Sequence, residues 1–196
     1  MSFSRKFALL LVALWLSGVA SVTAERFLTR DEAQKICFPK ASQFIAKTAN
    51  LDSAQSNLVE KSSGKKPPET ISFIIANNGN ESLGAMLFDQ VIGKHDKIDY
   101  AVAVSPDGKI LQVEILEYRE HYGGEIRGAK WREQFKGKNS ANALKLNEDI
   151  YNISGATLSC RHVTEGIKRL MAVFDLVVRP QLGAGRVPEH ADAIAH

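Results

Sequence analysis

Hydrophobic positions along the chain follow three patterns. From Phe7 to Leu16 they run unbroken. Between Thr70 and Tyr118 they come as short β-branched and aromatic blocks. From Leu158 to Val178 they recur every three or four residues, which sets Val163, Ile167, Leu170, Val173, Phe174 and Val177 on one stripe of a helix. This is the longest helix expected, and Pro180 is expected to end it. The middle blocks read as strands over Thr70–Ala76, Gly84–Ile92, Tyr100–Val104 and Lys109–Tyr118. Asn77-Asn78-Gly79-Asn80 turns the chain between the first two. Ser105-Pro106-Asp107-Gly108 joins the last two as a hairpin, proline fixing one turn angle and Asp-Gly supplying a left-handed one. In the final strand Ile110, Gln112, Glu114 and Leu116 alternate with Leu111, Val113, Ile115 and Glu117. One face is mostly apolar, so one side of the sheet is expected to be covered.

Before the strands, Thr29-Arg30-Asp31-Glu32 fits a capping box opening a short helix that reaches about Cys37, where Pro39 interrupts. Ser42–Ala49 reads as a second helical piece and Ser53–Glu60 as a weak third. Ser62-Ser63-Gly64-Lys65-Lys66-Pro67-Pro68 reads as a loop. After the strands, Tyr122-Gly123-Gly124 breaks the pattern and Lys130–Lys136 reads as a short helix. The fold class expected is α+β, an antiparallel sheet with packed helices in a single domain. The chain divides into 1–24 as an export signal, 25–68 as an N-terminal helical segment, 69–182 as the ligand-binding domain and 183–196 as a flexible tail.

The export reading rests on Arg5 and Lys6 before the apolar run and on the small residues of Val22-Thr23-Ala24 at a cleavage position. The alternative is an uncleaved anchor, for which the stretch Phe7–Ala24 is short and carries Ser17, Ser21 and Thr23. Removing residues 1–24 leaves a net charge of +1. A near-neutral body gives no electrostatic reason to propose nucleic acid as a partner. Cys37 and Cys160 are free to bridge in an oxidising compartment or to remain thiols. No Cys-x-x-Cys-His occurs for covalent haem, no His/Cys group has zinc spacing, and there is no dinucleotide fingerprint.

The stretch that carries chemistry is Asp149-Ile150-Tyr151-Asn152-Ile153-Ser154-Gly155-Ala156-Thr157-Leu158-Ser159. It is a small-residue turn feeding the long helix. Gly155 and Ala156 let a ligand approach the backbone, the helix start offers open N–H groups and a positive dipole end, and Ser154, Thr157 and Ser159 add hydroxyls. This is a phosphate cradle or, alternatively, an ordinary capped helix.

Ser154-Gly155-Ala156-Thr157 followed by Leu158-Ser159 resembles the signature of the FMN-binding domain family, which includes flavin subunits of sodium-translocating NADH:quinone oxidoreductase and of the Rnf electron-transport complex. Trp131-Arg132-Glu133-Gln134-Phe135-Lys136-Gly137-Lys138 is similar to the family's aromatic-Gln-aromatic-x-Gly-Lys segment. Glu120-His121-Tyr122-Gly123-Gly124 stands where the family has a Glu-Thr-Pro-Gly loop. The resemblance covers about residues 84–178. It implies FMN joined by a phosphoester to Thr157, installed by a flavin transferase with FAD as donor. Many members carry an acid six residues before the modified threonine. Here that residue is Tyr151, and Asp149 is the nearest acid. Cys160 stands where Ser or Thr is usual.

Around that centre, Tyr118, Tyr122 and Trp131 are candidates to stack on the flavin ring, with packing as the alternative. Gly123 and Gly124 are candidates for close backbone approach, Glu120 and His121 for tuning protonation of the flavin, and Arg161 and Lys168 for offsetting phosphate charge. The resemblance implies an exported electron carrier, periplasmic or on the outer face of the membrane. Its partners would be cytochromes, quinone-linked membrane subunits or other flavoproteins. The rival readings are a small flavin-dependent reductase, with His121 or Tyr122 as proton donor, and a flavin-free binding module.

Overall fold

The computed structural model describes residues 25–26, 28–120 and 122–182. The expected export segment, the tail and His121 lie outside the described residues.

Strand β1 (Glu25–Arg26) is followed by helix α1 (Arg30–Cys37), strand β2 (Gln43–Asn50) and helix α2 (Ser53–Ser63). A meander comes next: β3 (Thr70–Asn78), β4 (Glu81–Ile92), β5 (Lys97–Val104) and β6 (Ile110–Tyr118). A short helix α3 (Ala129–Arg132) lies between single 3₁₀ turns at Gly124–Arg127 and Glu133–Phe135. The long helix α4 (Thr157–Val173) runs through a π segment (Phe174–Val178) into α5 (Arg179–Leu182). The strands form one antiparallel sheet in the order β1-β6-β5-β4-β3-β2. The fold class is α+β, as expected.

Both faces of the sheet are covered, where one was expected. The larger core, with Phe73, Tyr100, Val102 and Ile115 from the strands, packs against α2, α4 and the segment from Ile126 to Ile150. On the other face Ala33 of α1 and Phe38 meet Ile74, Met86, Phe88 and Leu116. Simple alternation misassigns the faces of β6 because two register shifts interrupt the β5–β6 ladder, leaving Leu111 and Leu116 without direct partners. A bulge moves every later side chain to the opposite face. Ile110, Val113, Ile115 and Tyr118 therefore share the larger core.

Two other expectations change. Ser42–Ala49 is not helical. Gln43–Asn50 is the edge strand β2, paired residue for residue with β3. Phe44 faces one core while Ile45 and Ala49 face the other. An eight-residue piece has little intrinsic helical stability, and the open edge of β3 offers a full ladder instead. Pro180 does not end the long helix: it sits in α5 directly after the π segment, whose wider hydrogen-bond pattern accommodates it. Among the described residues no helix is long and apolar enough to cross a membrane.

Candidate functional site

Helix α4 starts where the chain turns at Ser154 and Gly155, both exposed. Gly155 has φ +83° with nothing within 4 Å of where a Cβ would stand, so the backbone angle and not crowding demands glycine. Ala156 is the buried N-cap and provides no side-chain hydrogen bond. The first intrahelical bond runs from Cys160 N to Ala156 O at 2.9 Å. The N–H groups of Thr157, Leu158 and Ser159 thus have no helical acceptor, and the positive end of a 17-residue helix meets them here. Thr157 is half-buried, with its Oγ 2.8 Å from Asn152 Nδ2. The Asn152 Oδ1 is buried and lacks a partner among the described residues.

The chain entering this turn is clamped by the segment around α3. The Trp131 indole N–H donates to Tyr151 O at 3.0 Å, and the Tyr151 N–H donates to Gln134 Oε1 at 2.6 Å. Gln134 is held in turn by its own bond to Trp131 O at 3.1 Å. Both backbone groups of Tyr151 are fixed while its side chain is 80% exposed. Asp149 accepts the N–H groups of Leu144 at 3.1 Å and Lys145 at 2.7 Å, and pairs with Lys138 at 3.3 Å. Burial acts to raise its pKa, but these donors prevail and hold it below its ordinary value. This carboxylate closes a loop in which Leu144 and Asn147 take positive φ. It is committed there and does not replace the acid missing at position 151.

The opposite wall comes from the end of β6. The Tyr118 hydroxyl donates to Tyr122 O at 2.5 Å, and the Arg127 guanidinium lies 5.7 Å from the Tyr118 ring centre. Burial pushes the Tyr118 phenol pKa up, while a hydrogen bond with Ser159 opposes the shift. Gly123 has φ +80°, and a Cβ on it would stand 2.6 Å from Ala156 Cβ and 3.0 Å from the Tyr118 oxygen. The glycine loop therefore packs directly on the residue before Thr157. Gly124 opens the 3₁₀ turn, its carbonyl accepting from Arg127 Nε at 2.8 Å.

The structure gathers Tyr118, Tyr122, Gly123, Ala156, Thr157 and Ser159 around the helix start, but it reassigns several expected roles. Tyr118 and Trp131 are both 4% exposed and packed in the core, so neither presents an open ring face for stacking. Trp131 acts through its hydrogen bond to Tyr151 and meets Phe135 edge-on, 5.0 Å between ring centres. The exposed aromatics are Tyr122, at 85%, and Tyr151, which is not among the stacking candidates read from the sequence. Glu120 accepts the N–H groups of His95 at 2.6 Å and Asp96 at 3.0 Å. Burial would raise its pKa, but those backbone donors hold it low. It anchors the β4–β5 turn. Arg161 is exposed one turn beyond Thr157. Lys168 lies about 16 Å beyond Thr157 along the helix, by its rise per residue, and borders a groove with α2. Cys37 and Cys160 are free thiols on opposite faces of the sheet, so they are no redox pair. Burial pushes the Cys37 thiol up to about 12, with Glu114 adding to the shift and Arg132 opposing it.

Two residues beside the helix start, Asn152 and His162, are not singled out by the sequence pattern. The His162 Nδ1 lies 2.6 Å from Ile92 O and 3.0 Å from Gly93 O. Carbonyls only accept, so Nδ1 carries the proton and ties α4 to the end of β4. Nothing in the sequence marks that histidine. Asn152 has a signal: a short polar side chain entering a turn bonds locally to the residues just after it.

Three N–H groups without an acceptor among the described residues, the Thr157 and Ser154 hydroxyls and Arg161 suit a phosphate. Tyr122, Tyr151 and Leu158, near the turn in sequence or through the backbone contacts above, are exposed apolar side chains. The residues present therefore fit FMN. Residues 93–172, a span that holds every candidate from Tyr118 to Ser159, match the model of the FMN-binding domain family. The G subunit of the proton-translocating ferredoxin:NAD(+) oxidoreductase complex of Clostridium ljungdahlii is 28% identical over 167 residues, which is 81% of this chain and 84% of that one. The crystal structure of Shewanella oneidensis NqrC superposes with a TM-score of 0.50 at 17% identity, covering 80% of this chain and 90% of that one, a likeness of fold. Over residues 93–172 the chain is thus similar to the FMN-binding domain family.

Proposed function

We propose that the chain is an exported flavoprotein that carries FMN as a phosphoester on Thr157 and passes electrons to partners at the membrane. The observation that carries this reading is the start of α4, where a threonine hydroxyl is held beside three uncapped N–H groups. The likeness to a subunit of a proton-translocating oxidoreductase complex supports partners at the membrane. FMN, when bound, supplies one- and two-electron redox chemistry that no side chain here provides.

The chain's own part is positioning. The first-turn N–H groups of α4 and Arg161 would hold the phosphate, and Ser154 would add a hydroxyl donor. Tyr122, Tyr151 and Leu158 would shield one side of the ring from water. Glu120 stays bonded to its turn. A covalent link keeps the cofactor in place outside the cytoplasm, and the proposed signal over residues 1–24 would take the chain there for a flavin transferase using FAD. Coexpression with such a transferase tests the reading. The intact mass of the wild type should rise by FMN less water, the denatured band should fluoresce, and Thr157→Ala should show neither. An unmodified wild type under these conditions would overturn it.

A further inference from the structure

We infer that Asn152 is the positioning residue for Thr157, serving its oxygen both before and after the flavin is attached. The inference rests on the proposed function and adds a residue to it. Two facts about one side chain carry it. Asn152 Nδ2 stands 2.8 Å from Thr157 Oγ, and Asn152 Oδ1 is buried with no partner among the described residues. A buried amide oxygen without a donor is costly, and turning the same carboxamide over would bring that oxygen to the Thr157 hydroxyl, which has a proton to give.

The two ends of a carboxamide have the same shape and opposite roles. With Oδ1 toward Thr157, the amide accepts the hydroxyl proton and fixes where the oxygen lone pairs point. With Nδ2 toward it, the amide donates to an oxygen that has lost its proton. Attachment takes the Thr157 oxygen through both states in turn. The Thr157 Oγ bonds to the phosphorus that bears the riboflavin of FAD, the anhydride P–O bond breaks, AMP leaves with that bond's electron pair, and the hydroxyl proton is released. Before the step Asn152 would accept, and after it Asn152 would donate to the ester oxygen. The backbone is braced for this role, since Trp131 and Gln134 lock Tyr151, the residue immediately before Asn152. Tyr151, in contrast, points to solvent and makes no comparable contact with Thr157.

The test compares attachment rates by intact mass, with purified transferase and FAD, in wild type, Asn152→Ala, Asn152→Asp and Thr157→Ala, each checked for a cooperative thermal unfolding transition. Asn152→Ala should slow attachment about tenfold, the order expected for losing one oriented hydrogen bond. Asn152→Asp, which still accepts the hydroxyl proton, should recover to within about threefold of wild type for the same reason. In wild type the Asn152 side-chain NH₂ resonance should shift on modification. A folded Asn152→Ala that attaches flavin at the wild-type rate would overturn the inference and leave the proposed function intact, as would an Asn152→Asp no faster than Asn152→Ala. Failure of the wild type itself would instead sink the function.

Discussion

Helices α1 and α4 begin in opposite ways. At α1, the Thr29 hydroxyl accepts from Glu32 N at 3.2 Å and the Glu32 carboxylate accepts from Thr29 N at 2.7 Å, a complete capping box. Helix α2 repeats the device with Asp52 and Gln55. At α4 the cap is Ala156, with no side chain returning to the first turn. The capped starts satisfy their donors locally and are finished as structure. The start of α4 leaves its donors open and is held from outside by the Gly123 loop against Ala156 and by Trp131 and Gln134 on Tyr151. The difference separates a helix end that only builds the fold from one that can receive an anion. It also locates the cost: an open end must borrow its stability from tertiary packing.

That borrowing gives the largest expected effect. Trp131→Ala should destabilise the protein by about 3–5 kcal/mol, through the cavity left beside Phe135 and the lost bond to Tyr151. Gln134→Ala, which removes only the other half of the clamp, should cost about 1–2 kcal/mol. Urea unfolding gives both numbers, and hydrogen exchange at residues 157–160 should speed up more than at α1. Equal loosening at both helix starts would break the contrast. Next in size, Gly123→Ala should cost about 1–3 kcal/mol, since it strains a residue at positive φ and drives a methyl into Ala156. The loss should be accompanied by poorer flavin attachment, because the displaced residue precedes Thr157.

A smaller effect separates the two threonines directly. Thr29→Ala should cost about 1 kcal/mol, the usual value of a lost N-cap. Thr157→Ala, in the unmodified protein, loses its bond from Asn152 and should cost about 0.5–1 kcal/mol, with hydrogen exchange of the first-turn N–H groups of α4 unchanged. If Thr157→Ala speeds hydrogen exchange in the first turn of α4 as Thr29→Ala does in the first turn of α1, Thr157 is a structural cap and the start of α4 is not an open end.

The residues that carry a regular period or a local rule are legible in the sequence. The Thr29 box, the Asp107-Gly108 hairpin, the α4 stripe and the Ser154–Thr157 word all depend on neighbours within a few positions. The illegible features depend on distant ones. Strand β2 resembles a helix in isolation because its pairing partner, β3, lies some twenty-five residues away. The β6 bulges are set by fit to β5 and leave no mark in composition. The aromatic ring of Trp131 draws it toward the site, but the residue acts through its indole N–H on Tyr151. The acidity of Glu120 suggests proton chemistry, yet its carboxylate is consumed by the N–H groups of a turn twenty-four residues earlier. The centre of the site is thus legible, and its supports are not.

The smallest expected effect follows from where each helix start keeps its acid. At α1 the acid is Glu32, inside the cap, held low by the Thr29 backbone N–H and then by its hydroxyl. Around α4 the acids are Glu120 and Asp149, in supporting loops. Burial works against both, and donated hydrogen bonds bring both below their ordinary values. A carboxyl group whose folded pKa is depressed stabilises the fold above its unfolded pKa. That stability disappears as the pH falls through the folded pKa, because the unfolded chain then binds more protons. Unfolding free energy in urea should therefore decline as the pH falls below about 5. Glu120→Gln with Asp149→Asn should flatten that decline, and Thr157→Ala should leave it unchanged. The loops beside α4 should also gain hydrogen exchange at a higher pH than α1, whose hydroxyl cap still works after Glu32 is protonated. A double variant with the wild-type pH slope would mean that these carboxylates do not couple protonation to the frame around Thr157, and the support for the open helix start would then have to be apolar packing alone.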